Sequence, residues 1–286
     1  MIVNKVKNVI IAEKEKRIRY KQENAKVMKF DIYDMPMFNT ILIETINRCN
    51  GKCAFCPVNA LEEQRPYAKM DEKLFRKIIQ ELSLMNFAGR VCFSCNNEPF
   101  LDDRIIDFIK YAREKLSLAF FYIWSNGSVL DKRKMQDVLP YIDKIYIDNY
   151  TDSHELNDNI KVLVAYLQET NQDFYVYDKF DIGEHKVNIL IRDINEVLSS
   201  RGGQAPNKKE AKAINAKCSR PFEEIVVRPD GKVSLCCSDA LGKYTLGDLN
   251  DSTLVDVWKS EEFLSVRKKL QVGRHTMELC NKCDFL

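Results

Sequence analysis

Cys49-Asn50-Gly51-Lys52-Cys53-Ala54-Phe55-Cys56 sets three thiols in the order C-x3-C-x2-C, directly after the run Thr40-Ile41-Leu42-Ile43-Glu44-Thr45-Ile46. The run reads as a short β-strand, and a ligand-bearing loop at the carboxyl end of a strand is where α/β folds place their chemistry. Three thiolates on one compact loop hold three irons of a 4Fe-4S cube and leave the fourth iron open to a small molecule. Zinc is the rival reading. Structural zinc loops, however, usually run C-x2-C and need a fourth protein ligand, which no nearby His or Cys supplies. Three cytosolic thiols packed by chance are the bland alternative.

Outward from this loop, strand and helix signals alternate from about residue 39 to 200, which predicts a parallel sheet with helices on its outer face. Asp71 is placed to cap a helix carrying Leu74, Phe75, Ile78, Ile79, Leu82 and Met85 at helical spacing. Strands are expected at 90–95, 119–124, 144–148, 174–178 and 186–191. Helices are expected after Asp102, at 131–139 and at 155–168. The count suits a partial β/α barrel of five to six units. The preceding residues 1–38 are charge-rich with scattered apolar positions, Val9, Ile10, Ile11, Ile18 and Met28, and read as a surface helix or arm packed outside the barrel.

Residues 201–209, Arg-Gly-Gly-Gln-Ala-Pro-Asn-Lys-Lys, read as a linker or site loop. Beyond them a hairpin is expected across Pro229-Asp230-Gly231, then one helix bearing Leu254, Val257, Trp258, Phe263, Val266 and Leu270. The expected organisation is therefore 1–38 as an extension, 39–209 as the partial barrel and 210–286 as a small hairpin-and-helix region. Four thiols of that last region, Cys218, Cys236, Cys280 and Cys283, form a second constellation. Four cysteine ligands suit zinc or a fully ligated 4Fe-4S cluster, and residue chemistry alone leaves both open. Cys236 and Cys237 are adjacent, so strand alternation lets only one ligate easily; position favours Cys236 and leaves Cys237 as a packed thiol.

The 286-residue chain is nearly neutral, with 44 basic and 42 acidic residues. No basic stripe announces a nucleic-acid partner, and no apolar run approaches the roughly 20 residues that span a bilayer. The start carries no signal-peptide core, so the ten cysteines point to metal ligation in a reducing cytoplasm rather than to disulfides. His154, His185 and His275 show no ligand spacing.

CNGKCAFC, with aromatic Phe55 before its third cysteine, resembles the signature loop of the radical S-adenosylmethionine (radical SAM) superfamily. That resemblance implies a cluster on Cys49, Cys53 and Cys56 whose open iron binds S-adenosylmethionine, a flavodoxin- or ferredoxin-like electron donor, and a 5′-deoxyadenosyl radical that takes a substrate hydrogen. The C-terminal pattern C-x17-C-x43-C-x2-C, with PDGKVSLC and LGDLNDSTLVDVWKSEEF, resembles the shortened "twitch" form of the SPASM region. It implies one auxiliary 4Fe-4S cluster on Cys218, Cys236, Cys280 and Cys283.

By the same resemblance, Asn96-Asn97-Glu98-Pro99 stands where the family carries a G-G-E-P type motif that receives the methionine amino group, and Ser125-Asn126-Gly127 stands on the ribose side. Both glycines are asparagine here. From about residue 40 to 285 the chain resembles the branch of dehydrogenases that oxidise 2-deoxy-scyllo-inosamine. In that branch the segment matching Arg201-Gly202-Gly203 lies near the substrate, which implies that Arg201 hydrogen-bonds a substrate hydroxyl or steadies a developing alkoxide. Cys95 is expected on the inner side of the barrel near the cofactor, with Cys92 facing the opposite way.

The leading expectation is oxidation of a secondary alcohol in a sugar or aminocyclitol, with one electron passed to the auxiliary cluster. Epimerisation of a sugar or peptide residue, with Cys95 or Cys237 returning the hydrogen, is the second. Modification of a ribosomal peptide is the third, weakened by the lack of a peptide-recognition domain, and a zinc-stabilised module without catalysis is the non-enzymatic alternative.

Overall fold

The computed structural model describes residues 2–178, 183–208, 210–211 and 214–285. Helix α1, Ile2–Met28, leads into β1, Thr40–Ile43, and the cysteine loop follows. Alternating units then run α2 (Glu72–Leu84), β2 (Arg90–Cys92), α3 (Ile105–Lys115), β3 (Phe120–Ser125), α4 (Lys132–Val138), β4 (Lys144–Thr151), α5 (Asp158–Glu169), β5 (Phe174–Tyr177) and β6 (Val187–Asp193). The C-terminal part comprises α6 (Arg220–Glu223), β7 (Glu224–Val227), β8 (Lys232–Ser234), β9 (Thr245–Asp248), α7 (Leu254–Trp258), α8 (Glu261–Val272) and α9 (Glu278–Asn281).

Among the described residues the strands form one open sheet in the order β5-β6-β4-β3-β2-β1-β7-β8-β9, parallel from β5 through β7 and antiparallel thereafter. This is the expected α/β partial barrel. β6 sits between β4 and β5, so spatial order departs from chain order at that edge. The hairpin does not stand apart from the barrel: β7 pairs in parallel with β1, Thr40 opposite Glu224 and Ile43 opposite Val227. Whatever β8 carries is thereby held in fixed register with the strand that launches the cysteine loop.

Helical periodicity explains the outer layer. Asp71 caps α2 as its sequence predicts, accepting from Lys73 N at 2.7 Å, and α2 turns Leu74, Phe75, Ile78, Ile79 and Leu82 into the core. Phe75 stacks on Phe108 of α3 with ring centroids 4.2 Å apart. Each such side chain contributes about 1.5–3 kcal/mol by leaving water. On the strands, period-two alternation sends Ile123, Ile145 and Ile147 into this outer core. It leaves Tyr122, Trp124 and Tyr146 on the inner face, where Trp124 and Tyr146 stack at 4.2 Å.

Three expectations are corrected. The single C-terminal helix is two, because Ser260 accepts from Phe263 N at 3.3 Å and restarts the chain as α8. Strand β9 was not foreseen. Cys92 packs with Leu42, Val226, Cys95 and Cys237 on the inner face rather than opposite Cys95. The cause is that β2 ends at Cys92, so alternation does not extend to position 95.

Residues outside the barrel behave as a surface helix: Ile18 and Met28 are exposed and Val27 is buried. The side chains of Val9, Ile10 and Ile11, and Lys209 of the expected linker, lie outside the described set. Trp258, wholly buried, donates from Nε1 to Pro36 O at 2.8 Å, and Arg267 lies 4.1 Å over its ring. No described helix is long and apolar enough to cross a membrane.

Candidate active site

The cysteine loop leaves β1 and folds back on itself. Gly51 N donates to Cys49 Sγ at 3.3 Å, Cys56 N donates to Cys53 O at 3.1 Å, and Asn59 Nδ2 donates to Cys53 O at 3.1 Å and Cys56 O at 2.6 Å. A β-carbon on Gly51 would stand 3.4 Å from Cys49 Sγ and 3.7 Å from Cys53 Sγ, so both sulfurs face one space that glycine leaves open. Burial pushes the Cys49 thiol up to about 11 and the Cys53 thiol to about 12, with neighbouring thiols acting in the same direction. Inserting a cluster therefore displaces protons from this loop.

Glu98 ties the loop to the strands beside it. It is buried, accepts from Phe100 N at 3.2 Å, Ser125 Oγ at 2.9 Å and Asn126 N at 2.7 Å, and is pushed up to about 7 by burial against the pull of those donors. Glu98 N donates to Arg48 O at 2.8 Å, while Asn126 Nδ2 reaches Asn50 Oδ1 at 2.9 Å and Cys49 Sγ at 3.7 Å. Glu98, Ser125, Asn126 and Cys49 thus form one network. Glu98 is not an idle carboxylate: an ammonium group would be received on lone pairs left over from its positioning of residues 125–126. Asn97 Oδ1 accepts from Cys95 N at 3.0 Å, whereas its buried Nδ2 has no partner, leaving its two N–H donors for a ligand.

Asn96 has a role that a glycine could not fill. Its Oδ1 accepts from Arg201 Nη1, and its Nδ2 donates to Cys237 O at 3.3 Å and Cys95 Sγ at 3.2 Å. Its main-chain N donates to Glu44, and its carbonyl accepts from Arg65 Nη2 at 3.0 Å. Arg201 therefore projects into the inner face, towards Cys95 and Cys237, where Asn96 Oδ1 receives its guanidinium. The side chain enters from an unusual turn: Arg201, Gly202 and Gly203 all have positive φ, at 46°, 64° and 81°. A non-glycine residue held there costs about 1–2 kcal/mol, so surrounding contacts must impose it. Ser200 supplies them, its N donating to Asp284 Oδ1 at 2.7 Å and its Oγ to Lys282 O at 2.6 Å. A β-carbon on Gly202 would lie 2.6 Å from Leu279 Cγ, so the turn lies directly on α9.

Helix α9 carries Cys280. Cys218, Cys236, Cys280 and Cys283 line one cavity with Arg220 and Arg274. The two guanidinium groups oppose the burial that pushes the Cys218 thiol up, which suits a group of net negative charge. A tetrahedral zinc would draw four sulfurs to about 2.3 Å from one point. The four thiols surround one space, and a donor set of four thiolates fits a fully ligated 4Fe-4S cluster. Cys237 is absent from that cavity and packs on the inner face, from the turn that follows β8.

Sequence reading missed a second layer. Glu44 and Arg65, 3.8 Å apart, fix the main chain of Asn96 from beneath. Asp148, Tyr150 and Arg192 gather beside Phe55, whose ring centroid lies 5.3 Å from that of Tyr150. Burial pushes Asp148 up to about 6. The signal was present in Lys144-Ile145-Tyr146-Ile147-Asp148: apolar residues alternate with polar ones in a strand covered on its outer face, so the polar set must face a site.

Two family models match the chain, the Radical SAM superfamily over residues 43–170 and the SPASM iron-sulfur cluster-binding domain over residues 218–284. These imply a SAM-binding 4Fe-4S cluster and an auxiliary cluster. The S-adenosyl-L-methionine-dependent 2-deoxy-scyllo-inosamine dehydrogenase of Niallia circulans is 28% identical over 250 residues, covering 87% of this chain and 93% of that protein. The crystal structure of BtrN in complex with AdoMet and 2-DOIA superposes with a TM-score of 0.72 at 25% identity, covering 88% of this chain and 95% of the other. AdoMet-bound anSMEcpe, at 14% identity and a TM-score of 0.55 over 87% of this chain and 86% of that one, shares the fold.

Proposed function

Since the chain belongs to the radical SAM superfamily, with a SPASM iron-sulfur region behind its parallel sheet, we propose that it dehydrogenates a secondary alcohol of an aminocyclitol or related sugar. When bound, the cluster on Cys49, Cys53 and Cys56 with S-adenosylmethionine supplies a 5′-deoxyadenosyl radical, and the cluster on Cys218, Cys236, Cys280 and Cys283 supplies an acceptor for one electron.

The observation that carries this reading is the turn at 201–203. One side of it lies against Leu279, next to Cys280, and its side chain reaches Asn96 beside Cys95 and Cys56. A substrate touching Arg201 would sit between the two cysteine sets. Arg201 keeps its proton, so it donates to the substrate oxygen and steadies the alkoxide character that develops as the carbinol hydrogen leaves as an atom and the hydroxyl proton passes to solvent. Asn96 holds the guanidinium in place, and Phe55, Ser125 and Asn126 position the cosubstrate. A reducing cytoplasm, with a flavodoxin- or ferredoxin-like donor, suits ten unpaired thiols.

The test is an anaerobic incubation with an aminocyclitol deuterated at the carbinol carbon. A ketone formed in step with 5′-deoxyadenosine that carries the deuterium supports the proposal. A product of unchanged oxidation state bearing solvent hydrogen at carbon overturns it in favour of epimerisation. That second reading has one observation behind it: Cys95 and Cys237 both face the inner side, and burial keeps each a thiol, Cys237 being pushed up to about 12.

A further inference from the structure

Cys218 is the auxiliary ligand that precedes the hairpin and the terminal helix. Cys236 follows β8, Cys280 lies in α9, and Cys283 N closes that helix onto Cys280 O at 3.1 Å. Cys218 lies in irregular chain just ahead of α6. Its flanking peptide groups are engaged all the same. Lys217 N donates to Asn24 Oδ1 at 2.6 Å, Ser219 N donates to Glu23 Oε1 at 2.7 Å, and Lys217 O accepts from Arg274 Nη2 at 3.2 Å. Two of those three partners come from the last turns of α1, 193 and 196 residues away in the chain.

The helix is itself pinned to the C-terminal part. Lys26 pairs with Glu223 at 2.6 Å, and just beyond α1 Phe30 stacks on Phe222 with centroids 5.1 Å apart and accepts from Gln271 Nε2 at 2.9 Å. Glu23, Lys26, Cys218 and Arg220 also border a cleft of about 540 Å³. Cys218 thus lies in irregular chain beside a cleft, and holding an irregular segment in one geometry costs conformational entropy unless other groups fix it.

We propose that the N-terminal helix is a clamp for the fourth auxiliary ligand, Glu23 and Asn24 gripping the peptide groups on either side of Cys218 so that the C-terminal set closes with four thiolates rather than three. Both are positioning residues and touch neither cluster nor substrate. The inference rests on the reading that this set holds a 4Fe-4S cluster.

The test uses the full chain with Cys49, Cys53 and Cys56 replaced by alanine, so that only the C-terminal set binds metal, reconstituted without oxygen. The parent should hold about four irons. Adding Glu23→Ala and Asn24→Ala should remove at least about half of that iron and shift the remaining paramagnetic spectrum toward that of Cys218→Ala. Glu23→Gln, which keeps an acceptor oxygen, should retain the parent spectrum. An alanine pair with undiminished iron and the parent spectrum overturns the clamp. Should the pair fail to fold by circular dichroism, Glu23→Ala alone is scored by the same two outcomes. If the parent binds zinc instead, the cluster reading fails while the clamp is still scored on zinc content.

Discussion

Cys49, Cys53 and Cys56 meet within one loop between β1 and α2, whereas Cys218, Cys236, Cys280 and Cys283 are drawn from an irregular segment, a hairpin end and a terminal helix. The first set is contiguous in sequence, with Gly51 and Asn59 shaping the loop and Asn126 and Glu98 bracing it from the chain that follows β3 and β2. The second is gathered by tertiary structure: β7 joins the hairpin to β1, Arg274 and α1 hold Cys218, and the 201–203 turn lies on α9. On the proposed reading, the set that binds the small molecule is the local one, and the set that accepts an electron is gathered by long-range contacts.

The contrast breaks most sharply at the loop. Cys53→Ala should lower 5′-deoxyadenosine formation by on the order of 10³-fold or more, above about 4 kcal/mol in barrier, measured chromatographically. Cys280→Ala should leave 5′-deoxyadenosine formation within several-fold while ketone formation falls about 10²-fold; equal losses in both assays would mean that the two sets are not separable. Between them stands Arg201. Arg201→Lys keeps the charge but loses the planar fork that meets Asn96, and ketone formation should fall about 10- to 100-fold with both clusters retained by absorption spectroscopy.

Smaller effects probe the junction. Gly202→Ala puts a β-carbon 2.6 Å from Leu279 Cγ at a φ of 64°, and should cost about 1–3 kcal/mol in chemical denaturation. Cys95→Ala should change ketone formation by less than about threefold. Loss of solvent-derived hydrogen from the product carbon on that substitution would instead establish the epimerase reading.

The same contrast explains what was legible beforehand. The loop and the Asp71-capped helix could be read because their signals are contiguous, and the β/α alternation because each unit is local. The C-terminal cysteines could be counted, but their enclosure could not be seen, since it depends on the pairing of Thr40 with Glu224 and on Glu23 and Asn24 reaching residues 217–219. Cys92 was turned the wrong way because strand termination at β2 depends on tertiary packing, which periodicity does not register. Asn96 stands where the resembled motif carries glycine. Its amide proves to be the bridge from Arg201 to Cys95 and Cys237, a role set by Arg201 and Cys237, 105 and 141 residues away.

The most direct measurement is iron, sulfide and zinc content of the anaerobically prepared chain, compared with its Cys49/Cys53/Cys56→Ala and Cys218/Cys236/Cys280/Cys283→Ala forms. The account predicts about eight irons for the first, about four for each of the others and no zinc. One zinc and about four irons in the intact chain, with the zinc lost when the C-terminal thiols are replaced, would contradict it.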